Sequence, residues 1–412
     1  MQGKNKVIYR VVEKRIDEAL RRGRSVLIFG SRQTGKTTVS KRLLSQCKNT
    51  LEYPLQNPTL RISLETDPGK IIREIQAQNE TELPLVFIDE AQKVPDIFDA
   101  AQYLIDEKQA RFLITGSSDR KLRRRGANLL PGRVERFFLD PLLLAELGMV
   151  KGNTVPELAT ENIAANSASY TLSDLLVYGS LPRVTDEPAS SREALLTAYS
   201  EIYLEEEIRA EALSRNIGAF SRFLELAAHE SGTSPNYTKL SNESGVSAPT
   251  IKTFYQIMED TLVIERVEPF LRNARKRILA SPRYYFFDVG VRNTLARLPS
   301  GSGLAGAERG IAFEHLVVLE IRRRIRALGK QYHTYYWRTS GGAEVDCVID
   351  MGDKVIPIEI KSGKSIGLLE LKGLRNFLEE HRDIAPVGYV VMPDGNKEKL
   401  ADNIFRIPFA EL

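Results

Sequence analysis

Three groups of residues in this 412-residue chain have types and spacings suited to chemistry. The first is "GSRQTGKTT", which follows four apolar residues, Val26 to Phe29, and leads into a helical pattern with Val39, Leu43 and Leu44. Gly30, Gly35, Lys36 and Thr37 fit G-x-x-x-x-G-K-[ST], in which glycines let the backbone curl until consecutive N–H groups aim at one point. That point suits phosphate, and the following helix adds the positive end of its dipole. Gly30, Ser31, Arg32, Gln33, Thr34, Gly35, Lys36, Thr37 and Thr38 are therefore expected to contact ATP. Lys36 would reach the β- and γ-phosphates, and the Thr37 hydroxyl would ligate Mg²⁺.

The second group lies at the ends of two apolar strands. "LPLVFIDEAQ" ends in Asp89 and Glu90. An acid there can hold Mg²⁺, and its neighbour can orient and deprotonate the attacking water. "RFLITGSS" ends in hydroxyls, of which Thr115, Ser117 or Ser118 could contact the γ-phosphate or that water. Farther on, Arg133 is a candidate arginine finger, because a guanidinium can neutralise charge on a transferred phosphoryl group. Arg123, Arg124 and Arg125 form either a solvated cluster or one that faces DNA.

The third group is C-terminal, in "GGAEVDCVIDMGDKVIPIEIKSG". Along "IPIEIKSG" Glu359 and Lys361 alternate with isoleucines, so both point to one face of a strand. Asp346 closes the preceding strand with Glu344 on its side, and Glu314 interrupts the otherwise apolar helix "IAFEHLVVLEI". An unpaired carboxylate is costly to bury in such a helix. Carboxylates converging beside a lysine can hold Mg²⁺ or Mn²⁺ for phosphodiester cleavage. The alternative is a satisfied charge cluster in a domain that keeps the fold without the activity.

"GSRQTGKTT", "FIDEAQKVPD", "LITGSS" and "GRVERFFLDPL" resemble a large prokaryotic family of AAA+-type ATPases whose ATPase domain precedes a region catalogued as domain of unknown function 4143. "GSLPRV", "YYFFDVGVRN", "AFEHLVVLEI", "YYWRTSGGAEVDCVI" and "IPIEIKSG" extend the resemblance over nearly the whole chain. It implies the sensor 1 role for one of the hydroxyls of Thr115, Ser117 and Ser118. The C-terminal acids and lysine are similar to PD-(D/E)XK nucleases, with Glu314 matching the helix acid, Asp346 and Glu359 the metal-binding acids and Lys361 the catalytic lysine.

The elements that must position these groups follow from periodicity. Residues 1–150 alternate short strands ("SVLIF", "TLRISL", "LPLVFIDE", "RFLITG", "RFFLDPL") with helices, the pattern of an α/β P-loop domain with a mostly parallel sheet. Residues 151–215 read as a helical subdomain, 216–298 as a winged helix, and 299–412 as a nuclease-like α/β domain. In the middle, Gly245 separates two helices, the second capped by Ser247 with Pro249 in its first turn. Ile251, Tyr255 and Met258 should face the core, leaving Thr250, Lys252, Thr253 and Gln256 for a DNA groove or a protein partner.

The formal charge is +4, but residues 270–330 hold thirteen Lys or Arg against four Asp or Glu. That excess reads as a basic surface for phosphates, or, in "RRRIR", as a solvated helix face. Nucleic acid is the expected partner, DNA ahead of RNA, with a protein partner as the alternative and oligomerisation left open. Two cysteines, Cys47 and Cys347, are too few for a zinc site or disulfide framework. No apolar run would span a bilayer and the first residues lack a signal-peptide core, so a cytoplasmic protein with no membrane association is expected.

Overall fold

The structure is a computed structural model that describes residues 8–78, 82–117, 130–163, 170–200, 217–271, 281–299 and 303–412. Ser118 and Arg123 to Arg125 lie outside the described residues. The chain divides into two compact units, one running to Asp140 and including 260–262, the other comprising 141–259 and 263–412. Among the described residues no helix is long and apolar enough to cross a membrane.

The first unit is built on a five-stranded parallel sheet of β1 (Ser25–Phe29), β2 (Thr50–Pro54), β3 (Leu85–Asp89), β4 (Arg111–Gly116) and β5 (Val134–Phe138) in the order β2-β3-β4-β1-β5. Every residue of β1 and β3 is buried, which is why both read as continuous apolar runs rather than alternating ones. Because the strands are parallel, the loops after β1, β3 and β4 emerge at one sheet edge, the usual place for a ligand in such sheets.

One expected strand is a helix. "TLRISL" lies inside Pro58–Thr66, and the strand is "TLEYP" just before it. The local signal is Asn57, whose side chain accepts from Thr59 N–H and Leu60 N–H, followed by proline at the first helical position. Leu60 and Leu64 then fall four apart on the buried face.

The second unit carries an eight-stranded mixed sheet: β6 (Ile264–Pro269), β7 (Arg283–Phe286), β8 (His333–Arg338), β9 (Glu344–Asp350), β10 (Val355–Ile360), β11 (Gly388–Met392), β12 (Glu398–Ala401) and β13 (Ile404–Pro408). Their order is β12-β13-β11-β10-β9-β8-β6-β7. This sheet crosses the boundary expected at 298/299, since β6 pairs antiparallel with β7 and parallel with β8. The segments expected as three separate domains thus belong to one compact unit. Helices Tyr237–Ser244 and Ala248–Asp260 flank a left-handed Gly245, with Ile251, Tyr255 and Met258 buried. The two strands that follow are no free wing, because β6 is hydrogen-bonded on both sides.

Packing accounts for two of the sequence motifs. Asp288 caps helix Val289–Leu295 and also accepts from Ser180 N–H at 2.8 Å. A Cβ on Gly290 would stand 2.1 Å from the Tyr178 carbonyl oxygen, and one on Gly179 2.0 Å from Asp288. "GSLPRV" and "FFDVGVRN" are therefore a close backbone crossing that only glycine permits.

"RRRIR" is neither a basic surface nor a solvated face. Arg322 donates to Glu265 and Thr334; Arg323 to Ser180 Oγ and the Phe287 carbonyl; Arg324 to Glu320 and the Leu412 carbonyl. Arg323 and Arg324 are 2% and 0% exposed. Helix Gly306–Leu328 is buried on more than one face, so Arg322, Arg323 and Arg324 act as internal staples that each donate to two partners.

Candidate functional sites

The loop after β1 has the shape its sequence demands. A Cβ on Gly30 would lie 2.2 Å from the Leu139 carbonyl oxygen, and Gly35, at φ +95°, opens helix Lys36–Leu44. Gln33 also has a positive φ of 60°. Lys36 Nζ donates to the carbonyls of Gly30 at 2.8 Å and Ser31 at 2.9 Å, and Thr34 Oγ1 donates to the Ser31 carbonyl. Arg32 is half-buried, and Thr38 is exposed on the first turn of the helix.

The acids at the end of β3 are tied into this loop. Thr37 Oγ1 lies 3.0 Å from Asp89 Oδ2, and Thr115 Oγ1, at the end of β4, donates to Asp89 Oδ1. Glu90 N–H donates to Thr115 Oγ1 at 3.0 Å, and Glu90 itself sits at φ 60°, an uncommon backbone position for a residue with a side chain. Gln92 Nε2 donates both to Glu90 Oε2 and to Ser117 Oγ. Thr115 and Ser117 therefore hold Asp89 and, through Gln92, Glu90. The glycine cradle, the buried ammonium and the Thr37–Asp89 pair fit a nucleotide with its Mg²⁺.

Two supports escaped the sequence reading. Arg10, buried, donates to the Thr34 carbonyl at 2.7 Å and to the Asp140 carbonyl at 2.6 Å, bracing the loop. Gln92 stands in plain view in "FIDEAQ", yet its partners come from two different strands.

Arg133 lies away from the phosphate loop of its own chain. It precedes β5, whose first residue pairs with Ser25 at the start of β1. The phosphate loop leaves the other end of β1, some five residues or roughly 16 Å away at about 3.3 Å per residue. Arg133 is bound there to Asp106 at 2.6 Å. It cannot serve as a finger for the loop of its own chain.

In the second unit, the β9–β10 ladder ends on Ile358↔Cys347, so the next step places Glu359 beside Asp346. Asp346 Oδ2 accepts from Ile360 N–H at 2.7 Å, and Lys361 Nζ lies 2.6 Å from Glu359 Oε1. Glu359 Oε2 is buried and has no hydrogen-bond partner among the described residues. Burial, and then the neighbouring Asp346, push the Glu359 carboxyl up to about 8. Burial pulls the Lys361 ammonium down, but Glu359 and Asp346 outweigh it and the net shift is upward.

Glu314 is engaged differently. Tyr285 donates to it at 2.9 Å and Arg283 stands 3.7 Å away, both from β7. Burial and Asp346 push its carboxyl up to about 7. Arg283 also pairs with Glu344 and lies over the Tyr336 ring. Among the described residues no group of three or more His, Cys, Asp or Glu is arranged to hold a metal ion. The expected three-acid cage of Glu314, Asp346 and Glu359 is thus not formed, because Glu314 is held by Tyr285 and Arg283. The donor set that fits a divalent ion is Asp346 with the unpartnered oxygen of Glu359. Arg283 and Tyr285 could be read as alternating positions of one strand, but nothing in the sequence placed that strand against the acids.

The family models follow the first unit and divide the second in two. A family described as AAA domain matches residues 22–148, a domain of unknown function (DUF8612) matches 169–302, and a second (DUF4143) matches 309–412. Two uncharacterized proteins, from Mycobacterium bovis and Mycobacterium tuberculosis, are each 26% identical over 402 residues, covering 96% of this chain and 82% of theirs. Among solved structures, a Walker-type ATPase of Pyrococcus abyssi aligns at 13% identity over 72% of this chain and 97% of its own, with a TM-score of 0.45. PCH-2 of C. elegans aligns at 15% identity over 60% of this chain and 65% of its own, with a TM-score of 0.22.

Proposed function

We propose that this chain, which carries an AAA-type ATPase domain and a DUF4143 domain, couples ATP hydrolysis to an action on nucleic acid, with a metal-dependent phosphodiesterase site on β9 and β10. In the first unit Lys36 would turn from the Gly30 and Ser31 carbonyls to the β- and γ-phosphates. Glu90, positioned by Gln92 and by its bond to Thr115, would orient and deprotonate the attacking water. Thr37 and Asp89 would hold Mg²⁺, which supplies charge neutralisation on the phosphates.

In the second unit the observation that carries the reading is the pairing of Asp346 with Glu359 beside Lys361, with Glu359 Oε2 left unpartnered. A buried carboxylate oxygen with no donor is costly in a purely structural cluster and is what a cation site requires. Asp346 and Glu359 would hold one Mg²⁺ or Mn²⁺, which polarises the phosphodiester. Lys361 would stabilise negative charge on the phosphorane. The chemistry of this site would suit a phosphodiester of either DNA or RNA, and Arg322 to Arg324 contribute nothing to a nucleic-acid surface.

The engagement of Glu314 by Arg283 favours a second reading, in which the domain keeps the fold and binds DNA or a protein without cutting. Incubating the full chain with single- and double-stranded DNA and RNA, with Mg²⁺ or Mn²⁺, with and without ATP, separates the two. Cleavage lost in Lys361→Ala supports the phosphodiesterase. Binding without cleavage under every condition supports the switch.

A further inference from the structure

We infer that Arg283 replaces a second metal ion in the acidic site, so that the site takes one divalent cation, on Asp346 and Glu359, and its Glu314 side is neutralised by the guanidinium. This rests on the metal-site reading above and concerns a residue outside the matched DUF4143 region, since β7 precedes residue 309.

Four carboxylates and two cations are brought together here, and the cations divide them. Lys361 contacts Glu359. Arg283 contacts Glu344 and approaches Glu314 to 3.7 Å. Asp346 stands opposite Glu359 in the β9–β10 register and two residues from Glu344 on the same face of β9, so it lies between the two halves. An acid that stands between two cationic positions is the geometry of a bridging ligand in a two-ion site. Here one of those positions is occupied by a side chain of the protein.

The guanidinium is fixed in place. Its side chain is 7% exposed, it lies 4.4 Å above the Tyr336 ring, and it spans Glu344 on β9 and Glu314 on helix Gly306–Leu328. Tyr285, two residues on and on the same face of β7, completes the grip on Glu314. Holding Glu314 to Arg283 and Tyr285 keeps its carboxylate from the ion on Asp346 and Glu359. The Glu359 oxygen, by contrast, is left without a donor. A planar, permanently charged guanidinium suits the task, because its several N–H groups can face two carboxylates at once and it cannot lose its charge.

The test is a count of Mn²⁺ ions bound by the nucleotide-free full chain, by electron paramagnetic resonance and calorimetry, taking only ions abolished by Asp346→Asn. The wild type should bind one. Arg283→Gln should bind two, Arg283→Lys one, and Glu314→Gln should keep the single ion with its affinity changed less than about threefold. Two ions in the wild type, one in a folded Arg283→Gln, or loss of the ion in Glu314→Gln would overturn the inference. If Arg283→Gln does not fold, the wild-type and Glu314→Gln counts still decide it. No ion in the wild type would overturn the metal-site reading itself; one ion without any cleavage would end the phosphodiesterase and leave the role of Arg283 intact.

Discussion

Lys361 donates to one oxygen of Glu359 at 2.6 Å while the other oxygen, buried, accepts from no group among the described residues. A structural ion pair with buried partners normally satisfies both oxygens. An unpaired buried oxygen costs stability, and the consequence is measurable.

Glu359→Gln should stabilise the protein at alkaline pH. The folded-state carboxyl is raised from 4.5 to about 8, so ionising it costs folding stability progressively above pH 4.5, with the full cost present above about 8. The amide avoids that cost. Thermal melts should show the variant more stable by about 1–3 kcal/mol at pH 8.5, the difference vanishing near pH 4. An unchanged or lower melting temperature at pH 8.5 would mean that the oxygen is satisfied in solution.

In the first unit, Lys36→Ala should abolish tight ATP binding, whereas Glu90→Gln should bind ATP normally and hydrolyse it about 10²–10⁴-fold more slowly. Gln92→Ala should lower kcat by a smaller factor, roughly tenfold, with little change in KM, because it touches only the orientation of Glu90. Calorimetry and phosphate release check all three. Normal hydrolysis by Glu90→Gln would remove it from the water-activating role.

Arg324→Ala should destabilise by about 3–5 kcal/mol, because it strands the buried Glu320 carboxylate. Urea unfolding measures this. The same geometry predicts that the salt dependence of any DNA binding is not set by Arg322, Arg323 and Arg324. A folded triple variant with a flattened salt slope would show that these side chains leave their partners.

His315 should give the protein an acid-sensitive step. Burial holds its imidazole down at about 3 despite the bond to the Phe286 carbonyl, so the folded state keeps it neutral. Its contribution is complete above pH 6.5 and is lost as pH falls towards 3. The melting temperature of the wild type should drop faster between pH 6.5 and 4 than that of His315→Gln. Parallel curves would show that the ring is solvated.

The local elements were legible because their signals are local. The G-x-x-x-x-G-K-T spacing, the apolar runs of β1 and β3, and the alternation in "IPIEIKSG" each lie within one stretch of chain. What escaped depends on distant pairing. Arg10 reaches Thr34 and Asp140 across 24 and 130 residues, and Arg283 reaches Glu344 across 61. Charge counts over a window misled for a related reason, since composition does not say that Arg323 and Arg324 point inward. The strand misplaced at "TLRISL" had a readable counter-signal in Asn57–Pro58, outweighed there by the apolar pattern.

The central claim is that Asp346, Glu359 and Lys361 form a divalent-metal phosphodiesterase site. The most direct measurement compares Mn²⁺ affinity and DNA cleavage in the wild type and in a Lys361→Ala variant shown to be folded by its melting curve. The account predicts that the variant binds Mn²⁺ within about threefold of the wild type and no longer cuts, because the ammonium acts on the phosphorane and not on the ion. A wild-type protein that binds no Mn²⁺ and cuts no DNA or RNA would contradict it.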